Sequence, residues 1–124
     1  MSENVLLDSV ILIDHLNGVD AATEYLIEVA PRASISAITR AEVLTGYAPG
    51  EAESVRQLLD RFRFLPVDRS VADLSAELRR EFRWRLPDAL QAATARVHGL
   101  RLVTRNTRDF PPDRHGFVRV PYAV

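Results

Sequence analysis

Short apolar runs alternate with amphipathic stretches along the whole chain. The apolar runs predict buried strands over residues 5–7, 33–36, 64–67, 100–104 and 117–120. Apolar residues repeating every three or four positions predict helices over residues 11–16, 20–30, 39–47, 51–63, 71–82 and 87–99, with Ser70 as the cap of the fifth. This alternation is typical of parallel βαβ units. We therefore predict an α/β fold, one three-layer sandwich domain spanning residues 1–124.

Size and composition limit the classes of protein to consider. The chain has 124 residues, of which 47% are hydrophobic, enough for the core of one domain. Cysteine is absent, which excludes disulfides, thiolate metal sites and a cysteine nucleophile. The first residues carry no positive charge, and no apolar run reaches membrane-spanning length. We expect a cytoplasmic protein that does not associate with membranes.

The charges are unevenly distributed along the chain. Residues 1–55 contain two arginines and nine acids, whereas residues 56–124 contain fourteen arginines and eight acids. Guanidinium groups match phosphates bidentately, so the second half is a candidate polyanion-binding surface. A solvated surface in an arginine-rich protein explains the same composition, and composition alone leaves both interpretations open.

Four acids stand close to the predicted strand ends. Asp8 ends the first strand, and Glu42 lies on the helix after the second. Asp88 begins the helix before the fourth strand, and Asp109 lies in the loop after it. If the first strand is central, these acids can meet at one end of the sheet. Clustered carboxylates need a cation to remain ionised together, and oxygen ligands suit Mg²⁺ or Mn²⁺.

Each of these acids also has a purely structural explanation. Asp8 could end a strand and start a turn, and Thr39 and Glu42 fit a capping box. Asp88 would meet the positive end of a helix dipole, and Asp109 could cap a turn. Spacing alone therefore only weakly favours a hydrolase with an acidic site.

The residues around the four acids favour a functional explanation over a purely structural one. VLLDSVILID surrounds Asp8, ISAITRAEVL surrounds Glu42, LPDALQAATA surrounds Asp88, and LVTRNTRDF precedes and includes Asp109. In this order and at these spacings, the four segments resemble the PIN-domain family, and within it the VapC toxins. The resemblance covers about residues 4–120.

The resemblance implies both a fold and an activity. It implies a PIN-like sandwich with a five-stranded parallel sheet and a Mg²⁺-dependent endoribonuclease, with Mn²⁺ as an alternative ion. The family's first three acids match Asp8, Glu42 and Asp88, and its variable fourth position matches Asp109. We expect Asp8 and Asp88 to be the main metal ligands, and Asn106 to bind a metal-bound water or substrate. The expected partners are RNA, a VapB-like antitoxin and a second copy of the chain.

Further residues are assigned by their position near these acids. Arg105 and Arg108 are the candidate RNA contacts, and Ser9 and Thr104 could donate hydrogen bonds to the acids. Asp14 and Asp20 are expected to face solvent or start helices, and Trp84 to lie in the core or an interface.

The sequence departs from the family pattern at two places. Residues 83–86, Arg-Trp-Arg-Leu, stand where many relatives have a glycine, and Gln91 replaces an aliphatic residue. Both departures concern substrate fit and leave the four acids intact.

The first two predicted helices carry more apolar residues than one sheet face requires. We expect part of this set to be exposed as an antitoxin groove. The alternative is that all of them pack in the core. The set is Ile11, Leu12, Leu16, Tyr25, Leu26 and Val29.

Other functions agree less well with the sequence. A receiver-type phosphoacceptor domain needs a lysine, and lysine is absent. A dehalogenase-type phosphatase needs a second aspartate two residues after Asp8, where Val10 stands. A DNA flap nuclease usually has a longer chain. A catalytically inactive PIN-like module that binds RNA or protein remains the alternative, although all four acids are present.

Overall fold

The computed structural model describes residues 3–124, and its elements follow the predicted order. The strands are β1 (Val5–Leu7), β2 (Ala33–Ser36), β3 (Arg63–Leu65), β4 (Arg101–Val103) and β5 (Val118–Arg119). The helices are α1 (Ser9–Leu16), α2 (Asp20–Val29), α3 (Ala37–Thr45), α4 (Pro49–Leu59), α5 (Arg69–Phe82) and α6 (Leu86–Val97), with a 3₁₀ turn at Ala30–Arg32. Within the described residues no helix is long and apolar enough to cross a membrane.

The five strands form one parallel sheet in the order β3-β2-β1-β4-β5. The predicted α/β fold with a parallel five-stranded sheet is therefore confirmed. The sequence of β1, Val-Leu-Leu, suits a central strand, because both faces of such a strand are covered. All three residues are buried. The chain reverses its direction of travel across the sheet between β1 and β4, and ligands of such sheets bind outside the strand ends at this point.

The core lies in two layers, one on each face of the sheet. Leu7 of β1 packs with Ile11, Leu12 and other residues of the first four helices. Leu6 points to the opposite face and packs with residues of α5 and α6. Successive residues of a strand face opposite sides of the sheet, so the three residues of β1 contribute side chains to both layers of the core. Burying a leucine contributes about 1.5–3 kcal/mol.

Several helix starts differ from the prediction because short polar side chains cap them. α1 begins at Ser9, two residues early, because the Asp8 carboxylate caps it. α3 begins at Ala37 because Ser36 Oγ accepts a hydrogen bond from the Thr39 amide. Asp68, and not Ser70, caps α5. Asp8 directly follows β1, Ser36 is the last residue of β2, and Asp68 lies three residues after β3.

Candidate active site

Asp8 lies at the carboxyl end of the central strand, where polar donors surround its carboxylate. Its Oδ1 accepts a hydrogen bond from the Ser9 amide at 2.8 Å, and its Oδ2 accepts one from the Thr104 hydroxyl at 2.7 Å. The Asp8 amide donates to the Val103 carbonyl at 2.9 Å, which joins the ends of β1 and β4. Only 9% of Asp8 is exposed, so its orientation is set by these neighbours.

Gln91 connects Asp8 to the next strand through a buried polar network. The Gln91 amide nitrogen donates to Asp8 Oδ1 at 3.2 Å and to Thr39 Oγ1 at 2.6 Å, and its oxygen accepts from the Ser36 hydroxyl at 2.5 Å. The Thr39 hydroxyl then donates to the Leu7 carbonyl at 3.0 Å. The expectation that Gln91 concerns only substrate fit is therefore wrong, because its side chain hydrogen-bonds directly to the first acid of the site.

Asp88 lies in the first turn of α6 and carries an unusual buried oxygen. Within residues 3–124 its Oδ2 is buried without a hydrogen-bond partner, and Arg85 Nε lies 3.7 Å away. Burial, then the nearby Asp109 and Asp8 carboxylates, raise the pKa of Asp88, while Arg85 opposes this. The neighbouring carboxylates therefore disfavour a negative charge on Asp88, and the exposed Arg85 offsets this only in part.

Glu42 lies near the same carboxylates from its position on α3. Glu42 is exposed, but its carboxylate is partly desolvated. This desolvation is the largest contribution that raises the pKa of Glu42, and the Asp8 and Asp88 carboxylates raise it further. The nearby Ser9 side chain lowers the pKa of Glu42 and so opposes the shift. The structural alternative of a capping box with Thr39 is wrong, because Ser36 caps α3 and Thr39 lies inside it.

Asp109 is held by the loop that follows β4. Asn106 Nδ2 donates to Asp109 Oδ2 at 3.0 Å, and the Asp109 amide donates back to Asn106 Oδ1 at 3.3 Å. The Asn106 amide donates to Thr104 Oγ1 at 2.9 Å. Thr104 thus links Asp8 to the loop of Asp109, so the two acids are positioned by one chain of hydrogen bonds.

These observations test whether a divalent cation fits. No group of three or more acidic or histidine side chains among residues 3–124 is arranged as a ready ligand set. Mg²⁺ does not require one, since proteins usually hold it through one or two carboxylates and several waters. A buried carboxylate oxygen without a donor, beside carboxylates that raise its pKa, is a fitting ligand for such an ion.

Arg105, a predicted RNA contact, is engaged inside the protein. Its guanidinium donates to both carboxylate oxygens of Asp14, at 2.6 and 2.8 Å, and Tyr122 donates to Asp14 at 2.8 Å. These contacts, led by the Arg105 hydrogen bond, lower the pKa of Asp14. The prediction that Asp14 faces solvent or starts a helix is wrong, since only 7% of it is exposed. Arg108, by contrast, is exposed.

The expected apolar groove on the first helices is not formed by the predicted residues. Four of them are buried in the core, and Leu16 and Tyr25 pack against it. Most of the set therefore belongs to the core, and only Leu16 and Tyr25 are partly exposed. The large apolar side chains exposed on these helices are Ile13, at 37%, and Ile27, at 75%.

Asp14 and Gln91 make buried polar contacts that were not predicted from the sequence. Asp14 directly follows the apolar run VILI, and Gln91 stands beside two alanines in LQAATA. A polar residue inside a buried segment signals an internal partner, but it does not tell which distant residue supplies it. Trp84, in contrast, lies in the core, and its indole donates to the Asp109 carbonyl at 2.9 Å.

The fold and the site agree with known proteins. The PIN domain family matches residues 5–111, so the chain belongs to this family. Two similar curated relatives are from Mycobacterium tuberculosis. Ribonuclease VapC10 is 35% identical, with 97% of this chain and 94% of the relative covered. Ribonuclease VapC19 is 31% identical, with 86% and 91% covered.

Solved structures give the same result for the fold. A toxin-antitoxin complex from Klebsiella pneumoniae contains a chain that is 37% identical, with a TM-score of 0.88 and coverage of 97% of this chain and 99% of that one. FitAcB from Neisseria gonorrhoeae has a TM-score of 0.79 at 27% identity, with 97% and 99% covered. The similarity thus extends over the whole sandwich and is not confined to the acidic segments.

Proposed function

We propose that this protein is a divalent-metal-dependent endoribonuclease that acts as the toxin of a toxin–antitoxin pair. The observation that carries the nuclease proposal is the buried, partnerless Asp88 oxygen beside the other acids at the switch point of the sheet. Membership of the PIN domain family and similarity to proteins named ribonucleases support it.

Asp8 and Asp88 would hold the ion, with Glu42 and Asp109 completing its surroundings. A divalent cation, Mg²⁺ or Mn²⁺, would neutralise phosphate charge and supply an acidified water for attack on phosphorus. The chain's own residues set the geometry. Gln91 and Thr104 orient Asp8, and Asn106 orients Asp109.

Glu42 is the best candidate to accept the proton of the attacking water. Its pKa is raised by partial desolvation and by the neighbouring carboxylates, which brings it closer to neutral pH than an ordinary glutamate. The nearby Ser9 side chain would help to orient it. Single-stranded RNA is the expected substrate, because its bases can turn away from the cleavage site.

The nuclease proposal is tested with purified protein and total RNA. New 5′ ends should appear with Mg²⁺, disappear with excess chelator and return when metal is restored. Mapping these ends gives the cleavage sequence. Unchanged cleavage in excess chelator would refute the metal mechanism, and absence of cleavage with every metal would favour an inactive binding module.

The toxin proposal rests on the similarity to toxin-antitoxin structures. A VapB-like antitoxin is the proposed partner, with a basic side chain close to Asp8 and Asp88. Expression of the chain alone should arrest growth, and co-expression of the small reading frame next to its gene should restore it. A harmless chain at good expression would refute the toxin role and leave the nuclease proposal standing.

A homodimer is also proposed. The edge strand β3 leaves Phe64 48% exposed, and an exposed apolar edge is open to a second chain. The mass in solution, measured by light scattering, decides between monomer and dimer.

A further inference from the structure

Two adjoining clefts beside Asp109 share the residues Arg83, Trp84, Arg108 and Asp109. Together they are called the arginine cleft. One part, of about 280 Å³, is also lined by Arg114 and His115. The other, of about 430 Å³, extends to Arg85. The cleft therefore adjoins the proposed active site at Asp109.

The charge of the cleft favours a polyanion. The first part has three arginines against Glu81 and Asp109, and the second has three arginines against Asp109 alone. All four arginines are exposed. Among residues 3–124, Arg83, Arg108 and Arg114 form no ion pair, unlike Arg105, which is bound to Asp14. Their guanidinium groups are available for an external anion.

The backbone at Arg83 gives a second, independent observation. Arg83 ends α5 in the left-handed conformation, with φ at 59°, and it is the only non-glycine residue of the described chain with a positive φ. Glycine adopts this conformation readily, whereas a side chain makes it unfavourable. An arginine at such a position indicates a role for its side chain.

The floor of the cleft is rigid. Trp84 stacks on Phe82 with ring centroids 4.6 Å apart and lies 4.8 Å from the Phe110 ring centroid. The Trp84 indole also donates to the Asp109 carbonyl at 2.9 Å. The arginines therefore stand around a fixed floor that is tied directly to the loop of a proposed catalytic acid.

We propose that the arginine cleft binds the phosphates of the RNA strand next to the cleavage site, through Arg83, Arg108 and Arg114. This rests on the proposed ribonuclease function and replaces Arg105 with Arg83 and Arg114 as RNA contacts. Arginine forks bind phosphate oxygens bidentately, and the position beside Asp109 places neighbouring nucleotides along one side of the acids.

The test measures binding of a labelled single-stranded RNA by fluorescence anisotropy, across a series of salt concentrations. All proteins carry Asp88→Asn, which prevents cleavage. Arg83→Gly, Arg108→Ala and Arg114→Ala are compared with Arg69→Ala. Arg69 is an exposed arginine at the opposite end of α5, about 20 Å from Arg83 at 1.5 Å per helical residue. Arg83→Gly relieves the backbone, so its melting temperature should not fall.

Each cleft variant should weaken binding by roughly tenfold, as the loss of one charge-assisted hydrogen bond implies. Each should also reduce the slope of log K against log salt by about 0.7. Arg69→Ala should do neither.

Cleft variants that bind RNA like the parent protein would overturn the proposal. The same variants are tested for co-purification with the antitoxin. If they lose the antitoxin but keep RNA binding, the cleft belongs to the protein partner. RNA cleavage by the protein with unmodified Asp88 is measured in parallel. If it cleaves while the cleft variants bind normally, only the cleft assignment fails. If it neither binds nor cleaves RNA, both proposals fail.

Discussion

The four acids of the site differ sharply in their surroundings, although the sequence presents them as similar. The Asp8 carboxylate accepts hydrogen bonds from Ser9, Gln91 and Thr104. Asp88 has a buried oxygen without a donor, and its pKa is raised. The expected electrostatic strain of the metal-free protein therefore lies at Asp88. Substitution by asparagine is therefore expected to relieve charge repulsion at Asp88.

We predict that Asp88→Asn raises the melting temperature of the metal-free protein by a few degrees. Because the folded-state pKa of Asp88 is raised, the folded protein becomes less stable relative to the variant as pH rises through that value. The advantage should vanish at acidic pH, where Asp88 is protonated in both states. Thermal unfolding in chelator at several pH values measures this. A lower melting temperature at neutral pH would contradict the interpretation.

Gln91 yields a second prediction at this scale. Gln91→Leu keeps much of the volume but removes the acceptor of the buried Ser36 hydroxyl and one of the two donors to Asp8 Oδ1. We expect a loss of about 1–3 kcal/mol in the free energy of unfolding, as is usual for buried groups left without a partner. Cleavage should fall as well, with weaker Mn²⁺ binding in calorimetry. Ser36→Ala removes the bond to the Gln91 oxygen and the cap of α3 but leaves the Gln91 bond to Asp8. It is the control and should leave Mn²⁺ binding unchanged.

Among the elements, those defined by long apolar patterns were predictable, and those defined by single polar contacts were not. The strands at residues 5–7 and 33–36 have the predicted bounds. α1 and α3 begin earlier than predicted because Asp8 and Ser36, each at the end of a strand, cap them. The last strand shrinks to Val118–Arg119. Periodicity reports which face is buried, but a cap depends on one side chain reaching one amide.

The ion pair between Asp14 and Arg105 joins elements that are distant in sequence. It links α1 to the loop after β4, and Tyr122 adds the C-terminal segment. Arg105 also directly follows Thr104, which binds Asp8. Sequence reasoning could not find this link, because a pairing across 91 positions leaves no periodic signal.

We predict that Asp14→Asn destabilises the fold by about 1–3 kcal/mol at neutral pH. The folded-state pKa of Asp14 is lowered, so its contribution is present above the unfolded value of about 3.9 and is lost as pH falls through the lowered value. Wild type and variant should therefore converge in stability in strong acid. Urea unfolding at neutral and acidic pH measures the difference. Equal stability of wild type and variant at neutral pH would show that the Asp14–Arg105 pair does not stabilise the contact between α1 and the loop after β4.

At the scale of the whole molecule, the sheet order explains why separated motifs can form one site. β1 lies between β2 and β4, so the segments following these strands meet at one edge. The fold class and the approximate location of the four acids could be predicted because both depend on patterns that extend along the chain. The free and engaged arginines could not be distinguished, because that depends on which acid each one reaches.

The exposed surface of α2 gives the prediction for the partner. Ile27 is 75% exposed and borders a groove between α2 and α4 that Leu26, Leu58 and Phe62 also line. We expect Ile27→Glu to weaken antitoxin binding at least severalfold, because a charge would be buried against apolar groups. RNA cleavage by the free toxin should not change.

Val124→Glu is the matched control, since Val124 is 77% exposed and does not line this groove. Co-purification and rescue of growth by the antitoxin measure both variants. Full rescue of the Ile27 variant would move the antitoxin surface elsewhere on the molecule.

The central claim is that Asp8 and Asp88 hold the metal ion that this protein needs to cleave RNA. The most direct measurement compares cleavage of one single-stranded RNA, with Mg²⁺, by wild type, Asp8→Asn, Asp88→Asn and Asp73→Asn. Asp73 is an exposed acid of α5 and serves as the control. We predict cleavage by wild type and Asp73→Asn, and none by the other two at unchanged secondary structure. Cleavage at the wild-type rate by either Asp8→Asn or Asp88→Asn would contradict the account.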